Sequence, residues 1–104
     1  MPQFIFAYHG GKTPESPEEG AEVMAAWKAW FETMADALEI PGAPVGMSQT
    51  VSASGVAADG GANPISGYTV VNAADMGTAT EMAKGCPMVV SGHGSVEVAE
   101  IMEM

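Results

Sequence analysis

The sequence predicts a small α+β protein in which two helices cover one face of a four-stranded antiparallel sheet. Capped helical patterns and strand-like runs follow one another in the order β-α-β-β-α-β. Short connections and right-handed crossovers favour a ferredoxin-like sandwich for this order, with the strands arranged 4-1-3-2 across the sheet. The 104 residues, of which 47% are hydrophobic, suffice for a single core, so we expect one domain over residues 1–104.

The longest helix is predicted over residues 16–38. Its start has the form of a capping box, in which the Ser16 hydroxyl accepts from the N3 amide and Glu19 reaches back to the amide of Ser16. An apolar stripe follows at spacings of three and four: Val23, Trp27, Trp30, Met34 and Leu38. The Pro41-Gly42 pair is expected to end the helix, because a residue that precedes proline is disfavoured in the α region.

The strands are predicted from alternation and from β-branched or aromatic content. Residues 3–9 are expected to form a central strand, since both of its faces are largely apolar. Residues 47–53 form a weak candidate for an edge strand, and residues 65–72 a stronger candidate for an inner one. The Gly- and Ala-rich residues 54–64 between them are predicted to form a long hairpin loop.

The last third of the chain predicts a short helix and a closing strand. Asp75 is a good N-cap for a helix over residues 76–84, Gly85 suits the left-handed position after it, and Pro87 is expected to block its continuation. Residues 95–101 then read as the fourth strand. Both helices are expected on one sheet face, and in a chain this apolar we expect the other face to be covered by a second copy, giving a homodimer.

Composition excludes several classes of function. Three basic residues against thirteen acidic ones give a formal charge of −10, which disfavours nucleic acid and anionic membrane surfaces as partners. No apolar run approaches the roughly 20 residues that span a bilayer. The one cysteine, Cys86, cannot form an internal disulfide, and the first residues lack a signal-peptide pattern, so a cytoplasmic protein is expected.

The predicted topology brings polar residues to one end of the sheet, namely His9, His93, Asp59 and Ser66. A histidine beside a carboxylate can act as a general base, and two histidines with a carboxylate can form an open metal site. The chain has no HxxxH or CxxC motif, so neither a metal nor another cofactor is predicted. The alternative is that both histidines are solvated or structural. For Trp27 and Trp30, packing in the core or dimer interface competes with lining an aromatic ligand pocket.

Three segments together resemble the YCII-related family, particularly its DGPF branch: Gly67-Tyr68-Thr69-Val70-Val71, the run from Ala74-Asp75 to Cys86-Pro87, and Gly94-Ser95-Val96-Glu97-Val98. The resemblance implies a dimeric α+β barrel built from ferredoxin-like halves. Most members of the family have no assigned activity. A few YciI-like members resemble small-molecule enzymes, including a dehydrochlorinase that acts on a substituted hydroquinone with a proposed His-Asp pair.

Two departures from the family pattern bear on function. The predicted helix over residues 16–38 contains no histidine, and Asp59-Gly60-Gly61-Ala62 replaces the DGPF tetrapeptide, so no residue inherits a catalytic role by motif. The first hypothesis is therefore a dimeric module that binds a small organic ligand or serves an accessory role. The alternative is a cofactor-independent lyase, isomerase or dehydrochlorinase-like enzyme with His9, His93 and Asp59 as its catalytic residues.

Overall fold

The computed structural model describes residues 1–103, which form six strands and three helices. In chain order they are β1 (Gln3–Gly10), α1 (Pro17–Thr33), β2 (Leu38–Pro44), β3 (Thr50–Ser52), β4 (Gly55–Ala57), β5 (Ile65–Asn72), α2 (Met76–Ala83), α3 (Pro87–Ser91) and β6 (Gly94–Glu100). The four long strands form an antiparallel sheet in the order β2-β5-β1-β6, and β3 and β4 form a separate hairpin. The predicted ferredoxin-like α+β fold is confirmed; the order 4-1-3-2 is found with residues 38–44, and not residues 47–53, as its second strand.

Strand β1 lies at the centre of the sheet, as its sequence predicts. It pairs with β5 on one side and β6 on the other. Its side chains alternate between the two faces. Phe4, Phe6 and Tyr8 are buried against the helices, while Ile5 and His9 lie half-buried on the opposite face. This second face has no helix over it and is called the open sheet face.

The core lies between β1, β5 and the helices. Trp30 contacts both the sheet and α2 within it. The indole of Trp30 stacks on Phe6 with ring centroids 6.1 Å apart, and only 6% of Trp30 is exposed. Its Nε1 donates a hydrogen bond of 3.0 Å to the carbonyl oxygen of Met82 in α2. Trp30 therefore connects α1, the sheet and α2.

Helix α1 begins at the predicted cap. Ser16 has extended backbone angles, and its Oγ accepts from the amide of Glu19 at 3.1 Å. The Glu19 carboxylate does not reach back to Ser16 as expected; it accepts from the amide of Glu15 at 3.2 Å. The same carboxylate also binds Lys12, which draws it toward the loop before the helix.

We expect Ser16→Ala to lower the free energy of unfolding by about 0.5–2 kcal/mol, because one amide of the first turn loses its acceptor. Urea denaturation of the two proteins measures the difference. Ser16→Asp is the matched control, since its carboxylate can accept the same hydrogen bond and should restore most of the stability. An unchanged midpoint in Ser16→Ala would show that the side chain does not stabilise this helix.

The predicted end of α1 is wrong. The helix ends at Thr33, and residues 38–44 form edge strand β2, so Pro41 and Gly42 lie inside a strand. Pairing with β5 outweighs the helical spacing that includes Leu38, which packs against the core from the strand instead. Proline has no backbone N–H to donate to a neighbouring strand. β2 tolerates Pro41 because it is an edge strand, with a neighbour on one side only. The pairing of β2 with β5 shifts register on both sides of Ile40, and Gly42 has a left-handed backbone conformation.

Residues 47–53 do not form the predicted sheet strand. Only β3 is extended there, and it pairs with β4 from the Gly- and Ala-rich segment that was predicted to be a loop. The small and hydroxyl side chains of this region supply little apolar surface for the main sheet. The predicted loop over residues 54–64 thus contributes one strand to a short hairpin outside the main sheet, and its remainder is irregular.

The second predicted helix is confirmed to within one residue, but Gly85 and Pro87 do not end it in the expected way. Asp75 caps α2 by accepting from the amide of Thr78 at 2.8 Å, which lowers the pKa of the Asp75 carboxyl. Gly85 does not adopt left-handed angles, and Pro87 starts the third helix α3 instead of blocking a helix. The left-handed residue is Gly92, at the end of α3. A helix of this length shows too few apolar repeats to be predicted.

Strand β6 agrees with the prediction within one residue at each end. No helix within residues 1–103 is long and apolar enough to cross a membrane.

Candidate functional site

A cleft of about 500 Å³ opens between α1 and the part of the sheet formed by β1, β5 and β2. The rings of Tyr8, Trp27 and Phe31 line it, together with the backbone around Gly42. We call it the aromatic cleft. Its volume falls within the range of about 300–1,000 Å³ that is typical of small-molecule sites, and its lining is mostly apolar.

The two tryptophans of α1 have different roles. Trp30 is buried in the core, whereas Trp27 is only partly buried and presents its ring to the cleft. The Trp27 ring meets Tyr8 edge to face, with centroids 5.1 Å apart at 86°, and Phe31 at 6.0 Å and 71°. Trp30 therefore packs in the core, whereas Trp27 lines the cleft.

A relay of hydroxyl groups crosses the wall of the cleft. Tyr8 donates to Thr69 Oγ1 at 2.6 Å, and Thr69 donates in turn to the carbonyl oxygen of Pro41 at 2.9 Å. Burial raises the pKa of the Tyr8 phenol far above its ordinary value, so the phenol stays neutral. Since both hydroxyl hydrogens are already donated, Tyr8 Oη can still accept a hydrogen bond from a ligand.

One basic side chain stands at the mouth of the cleft. Lys12 lines it and lies 3.0 Å from Glu19 Oε1, and this contact lowers the pKa of the Glu19 carboxyl. The loop that carries Lys12 follows two glycines with left-handed angles, Gly10 and Gly11. The amide of Gly11 donates to the carbonyl oxygen of His93 at 2.8 Å, which fixes the loop beside β6.

His9, one of the predicted catalytic residues, lies on the open sheet face and makes three polar contacts. Its Nδ1 is 3.0 Å from the carbonyl oxygen of Asn63 and 3.2 Å from that of Pro64, and its Nε2 is 2.9 Å from Glu97 Oε1. All three partners are acceptors. Only a doubly protonated ring can donate to both sides at once, because a neutral imidazole carries one N–H. His9 thereby joins β6 to the segment that leads into β5.

His93 and Asp59 lie near the same end of the sheet but take other contacts. His93 is exposed just before β6, and its backbone binds Gly11 and Met88. Asp59 Oδ1 accepts from the amide of Gly61 at 3.0 Å. Within residues 1–103, no hydrogen bond or ion pair joins any two of His9, His93 and Asp59, and no three His, Cys, Asp or Glu side chains are grouped to hold a metal. Their joint catalytic role stays a prediction.

Asp59 and Ser66 line a second hollow. It measures about 470 Å³, lies at the base of the β3–β4 hairpin and shares Gly10 and Ser66 with the aromatic cleft. Part of the segment 54–64 therefore bounds a hollow, which Asp59 and Ser66 share. Neither histidine lines this hollow.

Sequence reasoning missed Tyr8 and Thr69 as site residues, although a signal was present. In β1 the inward series is Phe4, Phe6 and Tyr8, and in β5 Thr69 alternates with Val71 on the same face. A hydroxyl at an inward position of a buried strand needs a partner. The two inward hydroxyl groups of Tyr8 and Thr69, on the sheet face that α1 covers, would have indicated the cleft.

No family model matches the sequence, and no curated protein is similar to it in sequence. Among solved structures, the fold is similar to that of 5-chloro-2-hydroxyhydroquinone dehydrochlorinase, TftG, from Burkholderia phenoliruptrix AC1100, in complex with 2,5-dihydroxybenzoquinone. The TM-score is 0.60, and the match covers 100% of this chain and 96% of that one at 14% sequence identity. This similarity establishes a shared fold for the two proteins.

Proposed function

We propose that this protein is a YCII-like, homodimeric binding or accessory module whose ligand is a small hydroxylated ring held in the aromatic cleft. The observation that carries the proposal is the neutral Tyr8 hydroxyl with accepting capacity among the aromatic side chains of an apolar cleft. The name of the structural neighbour TftG supports this class of ligand, since that protein acts on a chlorinated hydroxyhydroquinone and was solved with 2,5-dihydroxybenzoquinone.

The contacts in the cleft favour a flat ligand. Trp27 and Phe31 offer edges and faces that pack against a ring at the distances aromatic pairs prefer. A ring hydroxyl can donate to Tyr8 Oη, and an ionised ring oxygen at the mouth would be attracted by the Lys12 ammonium. With a net charge of −10, the rest of the protein repels anions, so Lys12 would position such an oxygen at this end of the cleft.

The second candidate function is proton-transfer catalysis of the lyase, isomerase or dehydrochlorinase type, which the His9–Glu97 pair favours. A carboxylate that fixes an imidazole is a common arrangement for a general base. The geometry also weighs against it, because both ring nitrogens of His9 already face acceptors and His9 lies on the opposite face of β1 from Tyr8. Catalysis would require His9 to release one of these partners.

Ligand binding can be measured by tryptophan fluorescence with hydroquinone as the probe. We expect Trp27→Ala to weaken binding roughly tenfold through lost ring contacts, and Tyr8→Phe to weaken it about fivefold through one lost hydrogen bond. The probe 1,4-dimethoxybenzene cannot donate a hydrogen bond, so its affinity should not change in Tyr8→Phe. Val90→Ala, at an exposed position of α3, is the matched control and should bind both probes like the parent.

The same mixtures separate the two candidate functions when they are analysed by chromatography. Recovery of unaltered ring compounds, with binding that depends on Trp27, supports the binding module. Conversion of the ring compound that disappears in His9→Gln supports the enzyme. Absence of any binding by hydroxylated rings at millimolar concentration would contradict the proposed ligand class.

We expect the protein to be a dimer in solution, because the open sheet face presents the uncharged, partly exposed side chains of Ile5, Ala7 and Tyr68 with no helix over them. Light scattering over a concentration series should give about twice the chain mass of 10.6 kDa. A mass of one chain at every concentration would contradict the dimer.

A further inference from the structure

The β3–β4 hairpin exposes apolar side chains on both strands. Every residue of the two strands is exposed. Val51 and Val56 face each other directly across the pair and are 76% and 64% exposed, and Met47 just before the hairpin is 100% exposed. An isolated two-stranded hairpin is marginally stable in water, and these side chains gain nothing from core packing.

The base of the hairpin is nevertheless well organised. Thr50 Oγ1 donates to the carbonyl oxygen of Asp59 at 2.7 Å, and the Asp59 side chain accepts from the amide of Gly61. At Gly60 the backbone packs so closely that an added Cβ would lie 2.8 Å from Ser48 and 2.7 Å from Pro64. These contacts hold the two ends of the hairpin together at its base.

Charge is distributed unevenly along the chain. Between Glu39 and Asp75 the only charged residue is Asp59, whereas the segments before and after carry the other acidic residues and all three lysines. This segment, with Asp59 as its single charge, comprises β2 after Glu39, the hairpin and β5. Two copies of a chain with a charge of −10 repel each other least when they meet through this segment, with their acidic helices facing outward.

We propose that the β3–β4 hairpin is an arm that lies on the open sheet face of a second copy, with Val51 and Val56 against the uncharged side chains of β1 and β5. This inference rests on the homodimer proposed above and adds the segment that holds it together. A second copy fits better than a charged partner, because β3, β4 and the strip of the open face formed by Ile5, Ala7 and Tyr68 carry no charged side chain. Burial of the valine pair supplies the stabilisation that the hairpin lacks alone.

The test uses the full chain with Val51→Glu or Val56→Glu, and sedimentation equilibrium measures the dimer dissociation constant. We expect either substitution to raise this constant at least tenfold. Val90→Glu is the matched control: Val90 is 74% exposed on α3, outside the arm, and it adds the same charge. Its dissociation constant should stay within about twofold of the parent value. Circular dichroism verifies that each variant is folded.

The outcomes distinguish the arm from the dimer itself. A monomeric parent protein would overturn both, whereas a parent dimer with unchanged dissociation in both hairpin variants would overturn the arm alone. An equal loss in Val90→Glu would assign the effect to net charge and also overturn the arm. A photoreactive benzophenone residue in place of Val56 provides a second test, in which the dimer should be crosslinked to peptides of β1 or β5; crosslinks only to α1 or α2 would contradict the proposal.

Discussion

Trp30→Ala is expected to lower the free energy of unfolding by about 3–5 kcal/mol, a large share of the 5–15 kcal/mol typical of a domain. Truncation would remove the ring that stacks on Phe6 and meets Tyr8, and it would leave the Met82 carbonyl without the indole donor. A cavity the size of an indole cannot be refilled easily, because the surrounding sheet and helices are fixed by their own hydrogen bonds. Guanidinium denaturation followed by circular dichroism measures the loss.

Two variants place this result in context. Trp30→Phe keeps a ring in the core and loses mainly the hydrogen bond to Met82, so we expect a smaller loss of about 1–2 kcal/mol. Trp27→Ala removes a ring that is partly exposed in the aromatic cleft and should cost less stability than Trp30→Ala while weakening ligand binding. Equal losses for the two alanine variants would contradict the assignment of Trp30 to the core and Trp27 to the cleft.

Gly42→Ala is expected to cost more than the roughly 1–3 kcal/mol that a left-handed backbone alone imposes on a residue with a side chain. Gly42 has φ of +77°, and a Cβ added there would run into the carbonyl of Tyr68 on β5. Relief of this clash requires β2 to move away from β5. Because Gly42 also lines the aromatic cleft, hydroquinone binding should fall along with the thermal midpoint.

Gly46→Ala is the matched control for Gly42→Ala. Gly46 follows β2 by two residues, has no left-handed angle, and an added Cβ would meet nothing within 4 Å. We expect its thermal midpoint to remain close to that of the parent protein, or slightly above it, since alanine restricts the unfolded chain. A midpoint in Gly42→Ala as high as in Gly46→Ala would show that the Gly42 conformation is not needed.

The sequence predicts those elements whose signals are local. The Ser16 and Asp75 caps, the alternation in β1 and the β-branched run in β5 are all read from neighbouring residues, and the structure confirms them. Their order was enough to predict the places of β1, β5 and β6 in the sheet, because few arrangements satisfy the rules for short and right-handed connections, but the edge strand beside β5 is residues 38–44 and not residues 47–53.

The errors occur where a distant contact outweighs a local pattern. Leu38 continues the helical spacing of α1, but residues 38–44 pair with β5 and complete the four-stranded sheet. The contact of His9 with Asn63 and Pro64 lies at the end of the sheet where Asp59 was expected, while its bond to Glu97 depends on the register of β1 and β6, which the sequence does not reveal. The aromatic cleft likewise requires the exact position of α1 over the sheet.

The hydroxyl relay from Tyr8 through Thr69 to Pro41 also links three strands of the sheet by hydrogen bonds, because its members belong to β1, β5 and β2. Local opening of the edge strand β2 must break the hydrogen bond from Thr69 to Pro41 and alter the wall of the aromatic cleft at the same time. Occupancy of the cleft and fraying of the edge are therefore thermodynamically linked. A bound molecule that needs the closed wall raises the free energy of opening, so it shields this edge from pairing with strands of other chains.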